Sequence, residues 1–296
     1  MLRPDWPYAR PQDQAVRGAC RPGEDDHKWR RHRGMSNPVR DKLRQGAPAF
    51  GPSFGFGCAT LVEVVGLLGF DFAYLDAEHG TISPRECEDL VRAADARDLP
   101  TIVRVGTSDP QVMLRYLDTG ISGIQLPHMR VREDAERAVR AVRFHPHGER
   151  GLAGGRWADF GLRDPLPQNV QRANEEVLLI AQIEDREALD NLDELVAVEG
   201  VDVWFVGPSD LSQALGYPGQ QTQPVVKDTV ASTIKRLRDR GKIVGTAGPN
   251  ADQVNYYLGL GVQYFTVSAN QLFIGGARTF QANVEVPANV APTEGA

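Results

Sequence analysis

Residues 72–105 of the chain read FAYLDAEHGTISPRECEDLVRAADARDLPTIVRV, and this stretch contains one complete strand–helix–strand unit. The apolar runs Phe72–Asp76 and Thr101–Val105 predict two strands. A helix is predicted over Ser83–Arg97, because serine caps a helix and Pro84 suits its first position. A strand, a crossover helix and a second strand in this order predict two parallel strands of one sheet.

The same alternation continues along the chain from about residue 53. Further strands are predicted at Phe54–Thr60, Gly123–Pro127, Val177–Ile183, Val201–Val206, Ile243–Thr246 and Tyr264–Val267, and further helices at Val131–Val142, Arg186–Val196, Pro224–Arg240 and Asp252–Gly259. Eight such units close a (β/α)8 TIM barrel more naturally than they form an open doubly wound sheet, although the pattern alone leaves both possible. Residues 144–174, which are rich in Gly, Arg and His, are predicted to form a long loop at the catalytic rim.

Length and charge predict the domain organisation. The chain has 296 residues, and a barrel needs about 250, so we expect residues 35–281 to form one domain. Residues 1–34 carry eight basic and five acidic side chains and are expected to be a disordered extension, with residues 282–296 as a flexible tail. Since the net charge is −6, residues 35–296 carry −9, which argues against a nucleic-acid partner. No apolar run is long enough to predict a membrane span.

The cysteines predict a reducing compartment. Cys20, Cys58 and Cys87 are odd in number and have no short paired spacing, which suits neither a disulfide framework nor a zinc site. We therefore expect the protein in the cytoplasm.

Two acidic residues follow neighbouring predicted strands. The carboxyl ends of barrel strands meet at one rim, so Glu184 and Asp210 are expected side by side there. Two carboxylates suit a divalent cation, with Mg²⁺ or Mn²⁺ favoured and Co²⁺ as a further candidate. Gln182 lies on the same face of its strand as Glu184. The alternative is that each acid caps the helix that follows it.

Two further strand ends carry residues suited to acid–base and charge-stabilising roles. His79 is a candidate general base if another group holds its ring, for which Asp76 and Asp118 are candidates. Arg104 brings a permanent cation that suits a developing enolate or a carboxylate. The alternatives are a structural histidine and an ion pair between Arg104 and a carboxylate of the barrel wall.

The lysines argue against a Schiff-base mechanism. The five lysines are Lys28 and Lys42 before the barrel, Lys227 and Lys235 on a helix, and Lys242 at the start of the seventh strand. A Schiff-base aldolase needs a lysine inside the pocket, so the stabilisation of an enolate is expected to come from a metal.

Several motifs together resemble the class II, metal-dependent pyruvate aldolases of the 4-hydroxy-2-oxoheptanedioate and 2-dehydro-3-deoxyglucarate aldolase type, which are grouped with the citrate lyase β-subunit. The segments that carry the resemblance are Leu75–Gly80, Gly148–Gly151, Gln182–Glu184, Asn191–Asp193, Val198–Gly200 and Val206–Ser212. The resemblance covers about Phe54 to Phe280. Residues 151–160 are closer to the sugar-acid branch and are expected to border the aldehyde side of the pocket.

The resemblance implies a barrel of the phosphoenolpyruvate/pyruvate type and a role for each candidate. It implies that Glu184 and Asp210 ligate the metal, that His79 is the base and Asp118 raises its basicity, that Arg104 stabilises the transition state, and that Gln182 and the backbone around Ser209 and Asp210 hold the oxo acid. It also implies a homohexamer, a trimer of dimers, with C-terminal helices exchanged between neighbours.

The expected activity is the cleavage or formation of 4-hydroxy-2-oxo acids through a pyruvate enolate, with a small 2-oxo acid and an aldehyde as partners. Three alternatives stay open at this point. They are a lyase of a coenzyme A thioester, an oxaloacetate decarboxylase, and a barrel that binds a small acid without turnover.

Overall fold

The computed structural model describes residues 37–285 and shows a closed barrel of eight parallel strands. The strands are β1 (Ala49–Phe54), β2 (Ala73–Ala77), β3 (Thr101–Val105), β4 (Gly123–Leu126), β5 (Leu178–Ile183), β6 (Val203–Val206), β7 (Val244–Ala247) and β8 (Tyr264–Ser268). Each strand pairs with the next in parallel, and β8 pairs with β1 to close the barrel. The predicted (β/α)8 fold is confirmed, and the open sheet is excluded.

Helices surround the barrel and join its strands. They are α1 (Pro38–Arg44), α2 (Ala59–Leu67), α3 (Pro84–Asp95), α4 (Pro110–Leu117), α5 (Arg132–Val142), α6 (Leu166–Glu176), α7 (Arg186–Asp190), α8 (Leu192–Val196), α9 (Pro208–Ala214), α10 (Pro224–Asp239), α11 (Ala251–Gly259) and α12 (Ala269–Asn283). The start of α3 is as predicted, because Ser83 and Glu86 form a reciprocal capping box there. The single helix predicted over Arg186–Val196 is instead two short helices that meet at Asn191.

The ends of the chain lie largely outside the described residues. This applies to the predicted extension at residues 1–34 and to the predicted tail from residue 286 onward. Helix α12 reaches Asn283 and so enters the segment predicted as a tail. No helix in the described part of the chain is both long enough and apolar enough to cross a membrane.

The first strand lies earlier in the chain than the sequence predicts. It spans Ala49–Phe54, so the predicted strand Phe54–Thr60 is wrong. The sequence did not predict a strand here because it contains Gly51 and Pro52, and both residues are unfavourable inside a sheet. Proline is tolerated here because β1 pairs with β2 only from Ser53 onward, so its missing N–H removes no bond of that ladder.

Residues 144–174 lie at the amino end of the barrel, and their predicted place at the catalytic rim is wrong. The segment connects α5 to β5, and a helix-to-strand connection lies opposite the carboxyl ends of the strands. It contains a 3₁₀ turn at Arg156–Gly161, and Arg156 bonds Asp95, the last residue of α3, at 2.6 Å. Residues 151–160 therefore do not border the pocket of their own barrel.

Aromatic side chains fill the lower part of the barrel interior. Phe72 stacks on Tyr264 with ring centroids 4.8 Å apart, and Tyr74 and Phe205 belong to the same buried cluster. Gly51 faces this cluster, and a Cβ atom there would lie 2.2 Å from the Phe72 ring. A residue without a side chain is therefore needed at this position, although it weakens the strand.

Helix α1 closes the amino end beneath these rings. Val39 and Leu43 pack into the same aromatic cluster. The buried Arg40 donates to one carboxylate oxygen of Asp202 at 2.9 Å, and Arg143 donates to the other at 2.9 Å. Helix α1 and the aromatic rings therefore fill this end of the barrel, which leaves the carboxyl ends of the strands for the chemistry.

Candidate active site

Arg104 lies between two carboxylates at the carboxyl ends of β2 and β3. Its Nε and Nη2 donate to the two oxygens of Asp76 at 3.0 and 2.5 Å, and its Nε lies 3.2 Å from Glu78 Oε2. Asp76 also accepts from the backbone N–H groups of Glu78 and His79. The ion pair that the sequence left as an alternative for Arg104 is present, and it fixes the plane of the guanidinium group.

Burial and Arg104 act in opposite directions on these carboxyl groups. Burial would raise the pKa of Asp76, but the hydrogen bonds and charge of Arg104 outweigh it and lower that pKa. For Glu78 burial prevails over the attraction of Arg104, and its pKa is raised. Asp76 is therefore the firmly ionised partner of Arg104.

A chain of side-chain amides leads from β4 to the end of β5. Gln125 Nε2 donates to Gln182 Oε1 at 2.5 Å, and Gln182 Nε2 donates to Glu184 Oε2. Both glutamines are buried, and both ends of the Gln182 amide are occupied. In this arrangement Gln182 orients Glu184.

Glu184 is a buried carboxylate at the mouth of the barrel. Only 2% of the residue is exposed, and its Oε1 accepts from the backbone N–H of His128 at 2.9 Å. Burial, together with the negative charge of Asp210, raises its pKa to about 7 against the hydrogen bond from His128. Gly207 leaves room for it, since a Cβ atom there would lie 3.0 Å from Glu184 Oε2.

Glu184 and Asp210 fit a hard divalent cation. The negative charge of Asp210 contributes to the raised pKa of Glu184, and a divalent cation beside two carboxylates would offset this charge. The described residues contain no cluster of three or more His, Cys, Asp and Glu side chains that could enclose an ion. The ion would therefore have to keep water or take oxygens from a substrate, as Mg²⁺ does.

The structure does not bring Asp118 to His79. His79 is exposed at the rim, and its ring has no hydrogen-bond partner among the described residues. Asp118 ends α4, which runs back from the rim, and its carboxylate binds Arg150 at 3.0 Å. The predicted effect of Asp118 on the basicity of His79 therefore has no support within one chain.

His128 is a rim residue that was not among the candidates from the sequence. It follows β4 with a left-handed backbone, at φ 55°, which aims its N–H at Glu184. Its Nδ1 lies 3.0 Å from Asp185 Oδ2, which Arg130 also binds at 3.1 Å. Its place directly after the predicted strand Gly123–Pro127 was the signal that could have found it.

The remaining predicted residues lie at the start of α9. Ser209 is exposed and accepts from Gln221 Nε2 at 2.7 Å, and Asp210 is half-buried. The described lysines lie away from this rim: Lys42 binds Asp71 before β2, Lys227 and Lys235 are on α10, and Lys242 precedes β7.

Comparison with known proteins agrees with this geometry. The sequence model of a family described as HpcH/HpaI aldolase/citrate lyase matches residues 57–270, more than two thirds of the chain. The chain belongs to this family. The resemblance seen in the sequence motifs is thereby confirmed.

Characterised relatives and a crystal structure show the same likeness. A pyruvate aldolase of Rhizobium etli is 33% identical over 235 residues, covering 79% of this chain and 91% of that protein. A 4-hydroxy-2-oxo-heptane-1,7-dioate aldolase of Escherichia coli is 31% identical over 243 residues, covering 82% and 92%. A family protein from Burkholderia cenocepacia superposes with a TM-score of 0.79 at 31% identity, covering 83% of this chain and 98% of that one.

The raised pKa of Glu184 predicts how the stability of the metal-free protein depends on pH. Between its ordinary value of 4.5 and about 7, the unfolded chain is ionised at Glu184 while the folded chain keeps the proton. Stability therefore falls as the pH rises through this window. Glu184→Gln removes this contribution, so its melting temperature in chelator should fall less between pH 5 and 7.5 than that of the wild type.

Thermal unfolding followed by circular dichroism measures this difference. Glu63→Gln is the control, because Glu63 is an exposed carboxylate paired with Arg97 on the outer surface. Equal pH slopes for the wild type and Glu184→Gln would contradict the raised pKa.

Proposed function

We propose that this protein is a divalent-metal-dependent pyruvate aldolase that cleaves or forms 4-hydroxy-2-oxo acids. The observation that carries the proposal is the buried carboxylate of Glu184 beside Asp210, at the mouth of a barrel whose rim also holds Arg104. Similarity to the pyruvate aldolase and the heptanedioate aldolase supports the same reaction class.

Glu184 and Asp210 would hold the cation, which we propose to be Mg²⁺ or Mn²⁺, with Co²⁺ as a further candidate. When bound, the cation supplies Lewis-acid stabilisation of negative charge on the oxo acid. Gln182 and the N–H of His128 hold the two oxygens of Glu184 so that the carboxylate keeps one orientation. In this role Gln182 acts on the metal ligand, whereas the family resemblance assigned it to the oxo acid.

Arg104 and His79 perform the charge stabilisation and the proton transfer. Asp76 holds Nε and Nη2 of Arg104, so Nη1 is left to donate to the oxygen on which negative charge develops. The exposed ring of His79 removes the proton from the 4-hydroxyl group, and the C3–C4 bond breaks to give an aldehyde and a pyruvate enolate. The enolate then takes up a proton at C3 to give pyruvate. The backbone around Ser209 and Asp210 is assigned to the carboxylate of the oxo acid.

A retro-aldol screen tests this activity. Purified protein is given a panel of 4-hydroxy-2-oxo acids with Mg²⁺, Mn²⁺ or Co²⁺, and pyruvate release is followed with a coupled dehydrogenase. We expect turnover that is lost on complete chelation and restored by the cation, because Glu184 and Asp210 alone supply no positive charge.

The same screen separates the alternatives. The panel includes malyl and citramalyl thioesters of coenzyme A and oxaloacetate. Exclusive turnover of a thioester or of oxaloacetate would reassign the reaction, and activity that survives complete chelation would contradict the metal.

Removal of Arg104 or His79 should abolish most turnover while the barrel stays folded. Loss of a group that stabilises transition-state charge typically lowers kcat by about a hundredfold or more. We expect Arg104→Ala and His79→Ala each to show such a loss, with Arg104→Lys in between, because lysine keeps the charge but loses the planar fork. Arg97→Ala, in the exposed pair with Glu63, is the matched control. Near-wild-type kcat in either variant would refute the role of that residue.

We also propose a homohexamer, a trimer of dimers, in which C-terminal helices are exchanged between neighbours. No residue of α12 is buried within the chain, and Leu272, Phe273 and Phe280 are 48%, 77% and 71% exposed. An apolar face of this kind is suited to contact with a second copy. Sedimentation equilibrium at micromolar concentration should give six chains per particle, and a monomer would contradict the proposal.

The cytoplasm is the proposed location. Cys58 and Cys87 are free thiols in the structure, which suits a reducing compartment.

A further inference from the structure

Gln125 lies on β4 inside the barrel, and none of its surface is exposed. It is connected to Glu184 through one intervening side chain, because its Nε2 donates to Gln182 and the amide of Gln182 donates to Glu184. Gln125 itself lies below the rim, in register with Arg104 on β3. The three side chains form one line of hydrogen bonds from the barrel interior to the carboxylate.

The carboxylate fixes the direction of every bond in this line. When Glu184 binds a cation its carboxylate is ionised and can only accept, so Gln182 must turn its NH₂ group toward Glu184 and its oxygen toward Gln125. Gln125 must then be the donor. A residue without an N–H group at position 125 would leave the oxygen of Gln182 unpaired, and the amide would no longer be held in one orientation.

The carbonyl oxygen of the Gln125 amide, unlike its NH₂ group, has no role in this line of hydrogen bonds. Its Oε1 is buried and has no hydrogen-bond partner among the described residues. An unpaired buried acceptor costs on the order of 1–3 kcal/mol of stability, and a buried group of this kind needs an explanation. Methionine has nearly the same length and would fill the barrel without this cost. The donor that faces Gln182 is what glutamine adds at this position.

We propose that Gln125 is a positioning residue for the divalent cation, which acts through Gln182 to hold Glu184 in the orientation that binds the ion. The inference rests on the metal site of the proposed function and extends it one residue deeper into the barrel. Groups that orient a metal ligand typically change metal affinity by about 10–100-fold when they are removed.

Binding of Mn²⁺ in the absence of substrate tests this role without any measurement of turnover. Free Mn²⁺ is followed by its electron paramagnetic resonance signal while the full chain is titrated. We expect Gln125→Met to raise the Kd for Mn²⁺ by about tenfold or more while its melting temperature stays close to that of the wild type. Gln125→Asn, which keeps the amide but is one methylene too short to reach Gln182, should weaken binding in the same way.

A double-mutant cycle shows whether Gln125 acts through Gln182. In a Gln182→Met background the further change Gln125→Met should have no additional effect on the Kd, because the line of bonds is already broken. Gln263→Met is the matched control. Gln263 is also a buried glutamine, bound to Leu43 O at 2.9 Å and to Arg238 at 2.7 Å at the amino end of the barrel, so its loss should lower stability but not Mn²⁺ affinity.

The outcomes separate this inference from the proposed function. If the wild type binds Mn²⁺ and both Gln125 variants bind it equally well, the positioning role is refuted and the metal site stands. Fully additive effects in the cycle would also refute it. If the wild type binds no Mn²⁺, the metal site and the positioning role both fail.

Discussion

Burial of the Glu184 carboxylate is the constraint on which the rest of the site depends. Removing an ionised carboxylate from water costs several kcal/mol unless hydrogen bonds and opposite charge compensate for it. The chain provides hydrogen bonds from the backbone of His128 and the amide of Gln182, and space beside Gly207. The imidazole of His128 also lies close, with its Nδ1 3.4 Å from Glu184 Oε1, but the same Nδ1 lies 3.0 Å from Asp185 Oδ2. The neighbouring Asp210 adds a second negative charge. Burial and Asp210 prevail over these contacts, since the pKa of Glu184 is still raised, and this excess of negative charge makes the place suited to a cation.

Charge balance across the whole rim leads to the same conclusion. Four carboxyl groups, those of Asp76, Glu78, Glu184 and Asp210, share this end of the barrel with the guanidinium group of Arg104, while the guanidinium group of Arg130 pairs with Asp185. With all of them ionised the sum is −3, and a divalent cation reduces it to −1. Arg104 is already committed to Asp76 and Glu78, so it cannot also neutralise Glu184. Under the proposed function the site divides into one half that carries Arg104 and one half that would hold the cation, and a 2-oxo acid between them would meet positive charge from both.

The parts of the fold and site that follow from residue spacing were predictable, and those that depend on packing were not. Strand ends located Glu184, Asp210 and Arg104, because parallel strands bring their carboxyl ends to one rim. β1 was misplaced because Gly51 and Pro52 are unfavourable in strands, and only the Phe72 ring across the barrel explains the glycine. Gln125 was missed because a lone glutamine in an apolar run carries no signal until its partner on β5 is known.

The misplacement of residues 144–174 shows that a motif can identify a family without lying at the catalytic rim of its own barrel. Gly148–Gly151 carried part of the resemblance, yet Arg150 is buried against Phe144 and Trp157, with its guanidinium carbon 4.6 and 5.0 Å from their ring centroids. It also binds Asp118, which the sequence proposed as a partner of His79. A cation held between two rings and a carboxylate stabilises the segment that returns the chain to β5. Since β5 carries Gln182 and leads directly into Glu184, this anchor at the amino end supports the site at the carboxyl end without touching a substrate there.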